Sequence, residues 1–162
     1  FKLQKKLRGK QILKAEDYLA DVLKIYEFLK SRGVGTMMWA DMLLDPDAFG
    51  SDYDGASVNG YQGYAALIKS IPRDVILCDW HYSGKSSEFP TYTYLQKQGF
   101  TVWGAVWKDP ETIRAFSAYV AKYARSGEGM IATTWWPFVI NDTETIDLIL
   151  ETASQAFFEE TK

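Results

Sequence analysis

The sequence contains very little cysteine or histidine. Its 162 residues include one of each, Cys78 and His81. A single cysteine excludes an internal disulfide and leaves the cellular compartment open. A zinc site needs three or four Cys, His or acidic ligands close together, which this composition makes improbable. We therefore expect no bound metal, and we expect Cys78 to be a small buried apolar residue.

Several other signals are absent. No apolar run approaches the ~20 residues needed to cross a bilayer, so we expect no membrane segment. The net charge is -3, which argues against a nucleic-acid partner. No glycine-rich phosphate loop follows a strand-like run, and we recognise no Ser-His-Asp triad. The sequence predicts no cofactor.

Aromatic residues, by contrast, make up 15% of the chain, and there are six tryptophans. Most of these tryptophans lie at or near the ends of apolar, strand-like runs that also carry a polar or acidic side chain. The four runs are "TMMWADM" (Thr36 to Met42), "VILCDWHY" (Val75 to Tyr82), "TVWGAVWKD" (Thr101 to Asp109) and "MIATTWWP" (Met130 to Pro137).

Helix-like segments alternate with these runs. The apolar spacing and the breaking glycines and prolines predict helices over Ala15–Lys30, Tyr61–Ser70, Tyr92–Gln98, Pro110 to about Arg125, and Thr143–Glu159. Asp109 is placed to cap the fourth of these helices. Between the first run and the second helix lies a long Asp-, Gly- and Ser-rich loop, which is typical of a functional loop.

An α segment followed by four βα units predicts an α/β fold with a parallel sheet. Two architectures fit, an open doubly wound sheet or part of a (β/α)₈ barrel. In a barrel every strand contributes to the site at the carboxyl ends, whereas an open sheet concentrates its ligands at one switch point. All four runs carry aromatics at that end, so we favour the second half of a barrel, with residues 1–162 forming one partial domain.

Indole faces stack on the apolar faces of sugar rings, and carboxylates accept hydrogen bonds from sugar hydroxyls. The pattern therefore predicts a carbohydrate ligand. A single tryptophan is more often a core residue, but four at matching strand ends favour a binding surface, while Trp103 in mid-strand should be core. The predicted substrate-binding residues are Trp39, Asp41, Asp79, Trp80, Tyr82, Trp107, Asp109 and Trp135.

The segment "YLADVLKIYEFLKSRGVGTMMWADMLL" (Tyr18 to Leu44) resembles the part of family 20-type β-N-acetylhexosaminidases that follows their catalytic Asp-Glu pair. "DWHY", "VWKD" and "TTWW" fall where that family places its next strand-end aromatics. The resemblance implies retaining hydrolysis of terminal β-linked N-acetylhexosamine, assisted by the acetamido group of the substrate. The family's Tyr-x-Asp and Trp-x-Glu motifs on its last two strands are not matched here.

The resemblance also implies that the Asp-Glu pair precedes Phe1, so no residue of this chain is assigned a catalytic role. We expect the chain to supply a sugar-binding wall, to be inactive alone, and to associate with the missing half barrel or with itself. The alternative interpretation is a non-catalytic carbohydrate-binding domain, or a small α/β domain whose indoles are core.

Overall fold

We describe a computed structural model of the protein, which covers residues 13–49, 57–84, 86–135 and 142–159. Residues 50–56 of the long Asp-, Gly- and Ser-rich loop lie outside the described residues, as do residues 136 and 137 at the end of the fourth run.

Four parallel strands form one sheet. They are β1 (Met37–Trp39), β2 (Ile76–Trp80), β3 (Thr101–Val106) and β4 (Gly129–Ala132). Their order in the sheet follows their order in the sequence, with parallel pairing throughout. The predicted α/β class and parallel sheet are confirmed.

Helices connect these strands. They are α1 (Ala15–Lys30), α2 (Pro46–Phe49), α3 (Pro90–Lys97), α4 (Pro110–Tyr123) and α5 (Thr143–Glu159). The predicted bounds of α1 and α5 are confirmed. Helix α3 begins two residues earlier than predicted, with Pro90 in its first turn, where a missing N–H costs nothing. Asp109 caps α4 as predicted, accepting a 3.0 Å hydrogen bond from the Thr112 N–H.

One predicted helix is wrong. Tyr61–Ser70 is not an α-helix but two short 3₁₀ turns, Tyr61–Gly63 and Ala65–Lys69. The break falls at Gln62 and Gly63, whose φ values of 53° and 89° are left-handed and cannot continue a right-handed helix. The strands are also shorter than the apolar runs, and β3 and β4 end at Val106 and Ala132, before Trp107 and Trp135.

The hydrophobic core lies on one face of the sheet. From the strands it takes Leu77, Val102 and Val106, all fully buried, and it packs them against α4 residues such as Phe116 and Val120. Each such side chain contributes ~1.5 to 3 kcal/mol when fully buried. A Cβ at Gly104 would stand 2.5 Å from Met130 Sδ, the end of a flexible side chain, and 3.1 Å from Phe116 and Val120, so α4 packs tightly over β3 at this glycine.

The opposite face of the sheet carries a different set of side chains, because successive residues of a strand point to opposite faces. The ladder places Trp39 beside Cys78 and Cys78 beside Trp103, while Trp80 lies beside Ala105. Cys78 and Ala105 are buried, but none of these five side chains belongs to the hydrophobic cluster that packs against the helices. Among the described residues, this face is therefore free of helices and alternates large indoles with small neighbours.

Candidate functional site

Five aromatic side chains meet where the strands end. Trp39 and Trp135 have ring centroids 5.8 Å apart, and Tyr82 lies 4.7 Å from Trp80, 5.9 Å from Trp107 and 6.1 Å from Trp135. We call these five residues the aromatic wall. All five are in the predicted set of binding residues, and the fold brings them into one continuous cluster from β1 to the end of β4.

The aromatic wall is accessible to ligands. Trp39 is 38% exposed, and the other four members are half-buried. The Lys108 ammonium lies 4.4 Å from the centre of the Trp107 ring, a cation–π contact that covers part of that indole. An apolar surface with a few polar groups at its rim is the usual composition of a small-molecule site.

Tyr82 stands at the centre of the wall. Burial raises the pKa of its hydroxyl, while the neighbouring Thr133 and Trp135 side chains offset part of that rise. Thr133 also donates a 2.8 Å hydrogen bond to the Val106 carbonyl, which fixes the chain just beyond β4. The raised pKa keeps the hydroxyl of Tyr82 protonated at neutral pH.

Asp41 lies beside the wall, two residues after Trp39, and is half-buried. Its Oδ2 accepts a 2.9 Å hydrogen bond from the side-chain amide of Asn59. Its negative charge contributes, after burial, to the raised pKa of Tyr18 on α1, and it is the smallest of the causes acting on Tyr82. Asp41 thus lies close enough to both phenols for its charge to be felt by them.

Asp79 occupies a different position. It faces the helices, opposite to Trp80, and is 1% exposed. The Thr91 hydroxyl donates to Asp79 Oδ2 at 2.8 Å, and His81 Nε2 lies 3.2 Å from the same oxygen. No donor among the described residues reaches Oδ1. Asp79 therefore lies behind the wall, on the core face of the sheet. Its predicted contact with a sugar stays a prediction.

His81 completes this buried network. Its ring packs against Phe89 and Phe116, with centroids 4.9 Å and 4.6 Å away. His81 is 1% exposed and is therefore part of the packed interior. Asp109 likewise serves the fold by capping α4, and no described contact joins it to the aromatic wall.

Two predictions about neighbouring residues have different outcomes. Cys78 is 3% exposed, as expected for a small apolar residue, and burial followed by the charge of Asp79 raises the pKa of its thiol to about 11. Trp103 is not a core residue, so that prediction was wrong. It is half-buried on the open face, and its Nε1 donates a 2.9 Å hydrogen bond to the Gly127 carbonyl near the opposite end of the sheet.

No pattern in the sequence pointed to Asn59 or Thr91. Both are ordinary polar residues in or next to loops, and their importance depends on the carboxylates that the fold brings to them, 18 and 12 positions away. Tyr18 was predicted only as part of α1. Its ring packs at a tilt against Tyr64, with the two ring centroids 5.4 Å apart, on the Asp41 side of the site.

Across the described residues, no three His, Cys, Asp or Glu side chains are grouped to hold a metal ion. In the same part of the chain, no helix combines the length and hydropathy needed to cross a membrane. No protein-family model and no curated protein matches the sequence. The function is therefore argued from the geometry of the site and from the family resemblance of the sequence.

Proposed function

We propose that this chain is the C-terminal half of the catalytic (β/α)₈ barrel of a glycoside hydrolase, and that it supplies the wall of the site that holds a terminal β-linked N-acetylhexosamine. The observation that carries the proposal is the aromatic wall. Five aromatic rings from the ends of adjacent parallel strands form one cluster on the side of the sheet that the described helices leave open.

The arrangement of the sheet supports a barrel over an open doubly wound fold. An open sheet of that kind has helices on both faces, and its strand order reverses at a switch point. Here the four strands follow in sequence order, and the described core occupies one face. In a barrel the helix-free face is the interior and the carboxyl ends of the strands form the active site.

The chemistry of the wall suits a sugar ring. Indole faces offer flat apolar surfaces to the C–H face of the ring, and Asp41 offers a carboxylate to a hydroxyl at its edge. The closeness of Trp39 and Trp135, 5.8 Å between centroids, leaves no room for a ring between them. The sugar would therefore lie against the wall as a whole.

The proposal places the proton donor outside this chain, in the Asp-Glu pair that the resemblance puts in the first half of the barrel. Hydrolysis would then proceed by attack of the acetamido oxygen of the substrate. A general acid commonly contributes ~10²- to 10⁴-fold, so the 162-residue chain should not turn over an aryl N-acetyl-β-glucosaminide at a useful rate. Turnover that is abolished by Asp41→Ala would show that the acid lies in this chain.

An incomplete barrel leaves two strand edges and its inner face to be covered. We expect the chain to associate with the other half barrel or with a second copy of itself. Sedimentation of the purified chain measures this, and a stable monomer would count against the half-barrel assignment.

Sugar binding is tested by titrating the chain with N-acetylglucosamine and following tryptophan fluorescence. Trp39→Ala and Trp107→Ala should each weaken binding by about tenfold or more while shifting the unfolding midpoint only slightly. Trp103→Ala is the matched control, since it removes an indole from the same face but away from the wall.

Equal losses from all three variants would contradict a localised site. Unfolding by Trp107→Ala, with normal binding by the molecules that remain folded, would show that this indole is a core residue. Saturable binding with no hydrolysis after the upstream half is supplied would favour the alternative, a non-catalytic carbohydrate-binding domain.

A further inference from the structure

The segment that closes the long loop after β1 is bonded directly to the short 3₁₀ turn, Asp41–Leu43, that follows that strand. The Asn59 N–H donates to the Asp41 carbonyl at 2.7 Å, and the Gly60 N–H donates to the Leu44 carbonyl at 2.8 Å. Ser57 and Val58, which precede these residues, are buried. The two ends of the loop are therefore held together at its base, independently of the residues between them.

Gly60 makes this close approach possible. A Cβ at this position would stand 2.5 Å from the Leu44 carbonyl oxygen and 2.7 Å from Ala65 Cβ, and the first of these obstacles is backbone. Any larger residue would push this segment away from the Leu44 carbonyl. This explains the glycine at the end of the "VNG" sequence.

Asn59 holds Asp41 twice. Its backbone N–H bonds the carbonyl of Asp41, and its side-chain amide bonds the carboxylate oxygen Oδ2 at 2.9 Å. The backbone bond fixes where the residue stands, and the side-chain bond selects one orientation of the carboxylate. Without the amide, the carboxylate would be free to sample other rotamers, with a corresponding loss of entropy on binding a ligand.

We propose that Asn59 is a positioning residue, which holds the Asp41 carboxylate at the edge of the aromatic wall so that it can accept a hydroxyl of the bound sugar. The inference rests on the proposed function, because it takes the wall to be a sugar site. An amide suits this role since it donates a hydrogen bond without adding charge. An aspartate at position 59 would repel Asp41, and an alanine would leave it unrestrained.

The test is a double-mutant cycle on the 162-residue chain, with N-acetylglucosamine as the probe. Asn59→Ala should weaken binding about tenfold, the typical worth of a hydrogen bond to a charged group. Asp41→Ala should weaken it at least as much. Adding Asn59→Ala to Asp41→Ala should change nothing further, because Asn59 acts only through the carboxylate.

Two additional variants separate positioning from loop stability. Val58→Ala removes buried apolar surface from the same segment without altering the Asn59 amide, so it should lower the unfolding midpoint and leave affinity unchanged. Asn59→Asp keeps the shape of the side chain, so the affinity for N-acetylglucosamine can be measured even if the alanine variant folds poorly. Its carboxylate cannot donate a hydrogen bond to Asp41 and repels it, so its binding should weaken at least as much as that of Asn59→Ala.

The outcomes distinguish the inference from the function beneath it. If Trp39→Ala and Asp41→Ala weaken binding but Asn59→Ala does not, Asn59 is not a positioning residue and the sugar site stands. Additive losses in the double variant, or an equal loss from Val58→Ala, would also overturn the inference. If the parent chain does not bind the sugar, or neither Trp39→Ala nor Asp41→Ala has an effect, the proposed function fails and the inference falls with it.

Discussion

A carboxylate is buried at each end of the sheet, Glu128 just before β4 and Asp79 near the end of β2, and both side chains are 1% exposed. Glu128 accepts six hydrogen bonds, whose donors are the Val102 N–H, the Tyr92 hydroxyl, the Gln96 amide, and the backbone N–H and two guanidinium nitrogens of Arg125. At Asp79, two side chains share one oxygen.

The two ends of the sheet differ in how their buried carboxylates are hydrogen-bonded. At the amino end, one carboxylate joins α3, β3 and the segment after α4 into a network in which both oxygens are bonded several times. At the carboxyl end, the two described hydrogen-bond partners of Asp79 share one oxygen, and the large side chains of the aromatic wall are half-buried or exposed. In barrel proteins the amino-terminal face serves stability and the carboxyl-terminal face carries the site. Under the proposed function, Glu128 and the aromatic wall would divide these tasks in the same way.

The largest expected effect is on stability at the amino end. Glu128→Ala removes the acceptor of six hydrogen bonds, including the one from the N–H of fully buried Val102, so we expect the free energy of unfolding to fall by ~3 to 5 kcal/mol. Urea unfolding measures this, with Glu144→Ala on the exposed start of α5 as the control. A loss below about 1 kcal/mol would show that the two ends do not differ in the way described.

A smaller effect is expected at the carboxyl end. Asp79→Asn keeps an oxygen for Thr91 and His81 and places its amide where no described donor points, so it should cost only about 1 kcal/mol. The same urea titration applies, with Asp147→Asn on the surface of α5 as the control. If Asp79→Asn proves as costly as Glu128→Ala, Asp79 carries bonds beyond the two described.

The smallest effect is a change in the pH dependence of stability. Burial alone raises the pKa of Glu128, but hydrogen bonds from Arg125, Gln96 and Val102 together outweigh burial and hold the pKa below its ordinary value. A carboxylate with a lowered folded-state pKa stabilises the protein above the unfolded pKa of ~4.3, and this contribution is lost as the pH falls through the folded value.

Glu128→Gln removes that titration. The variant should be less stable than the parent at pH 7, and the gap should narrow below about pH 4. Thermal unfolding between pH 3 and 7 measures the gap, with Glu144→Gln as the control. A gap that stays constant or widens on acidification would mean that Glu128 is not stabilised in its charged form.

Much of the fold could be predicted because it is local. The bounds of α1 and α5 follow from apolar spacing, and the cap of α4 follows from Asp109 preceding Pro110. The helix predicted over Tyr61–Ser70 failed because propensity does not reveal a left-handed turn at Gln62, where neighbouring backbone decides the conformation.

The candidate site was also predictable only in part. By itself the sequence determined the order of α and β elements and the recurrence of indoles at strand ends, since parallel strands joined by helices bring those ends to one edge. Strand alternation even requires Asp79 and Trp80 to face opposite ways. Only the tertiary structure decided which face the helices cover, and therefore that Trp80 belongs to the wall while Asp79 lies behind it. It also decided that Asn59 reaches Asp41, because hydrogen bonds between residues 18 positions apart depend on how the loop closes, which no local pattern records.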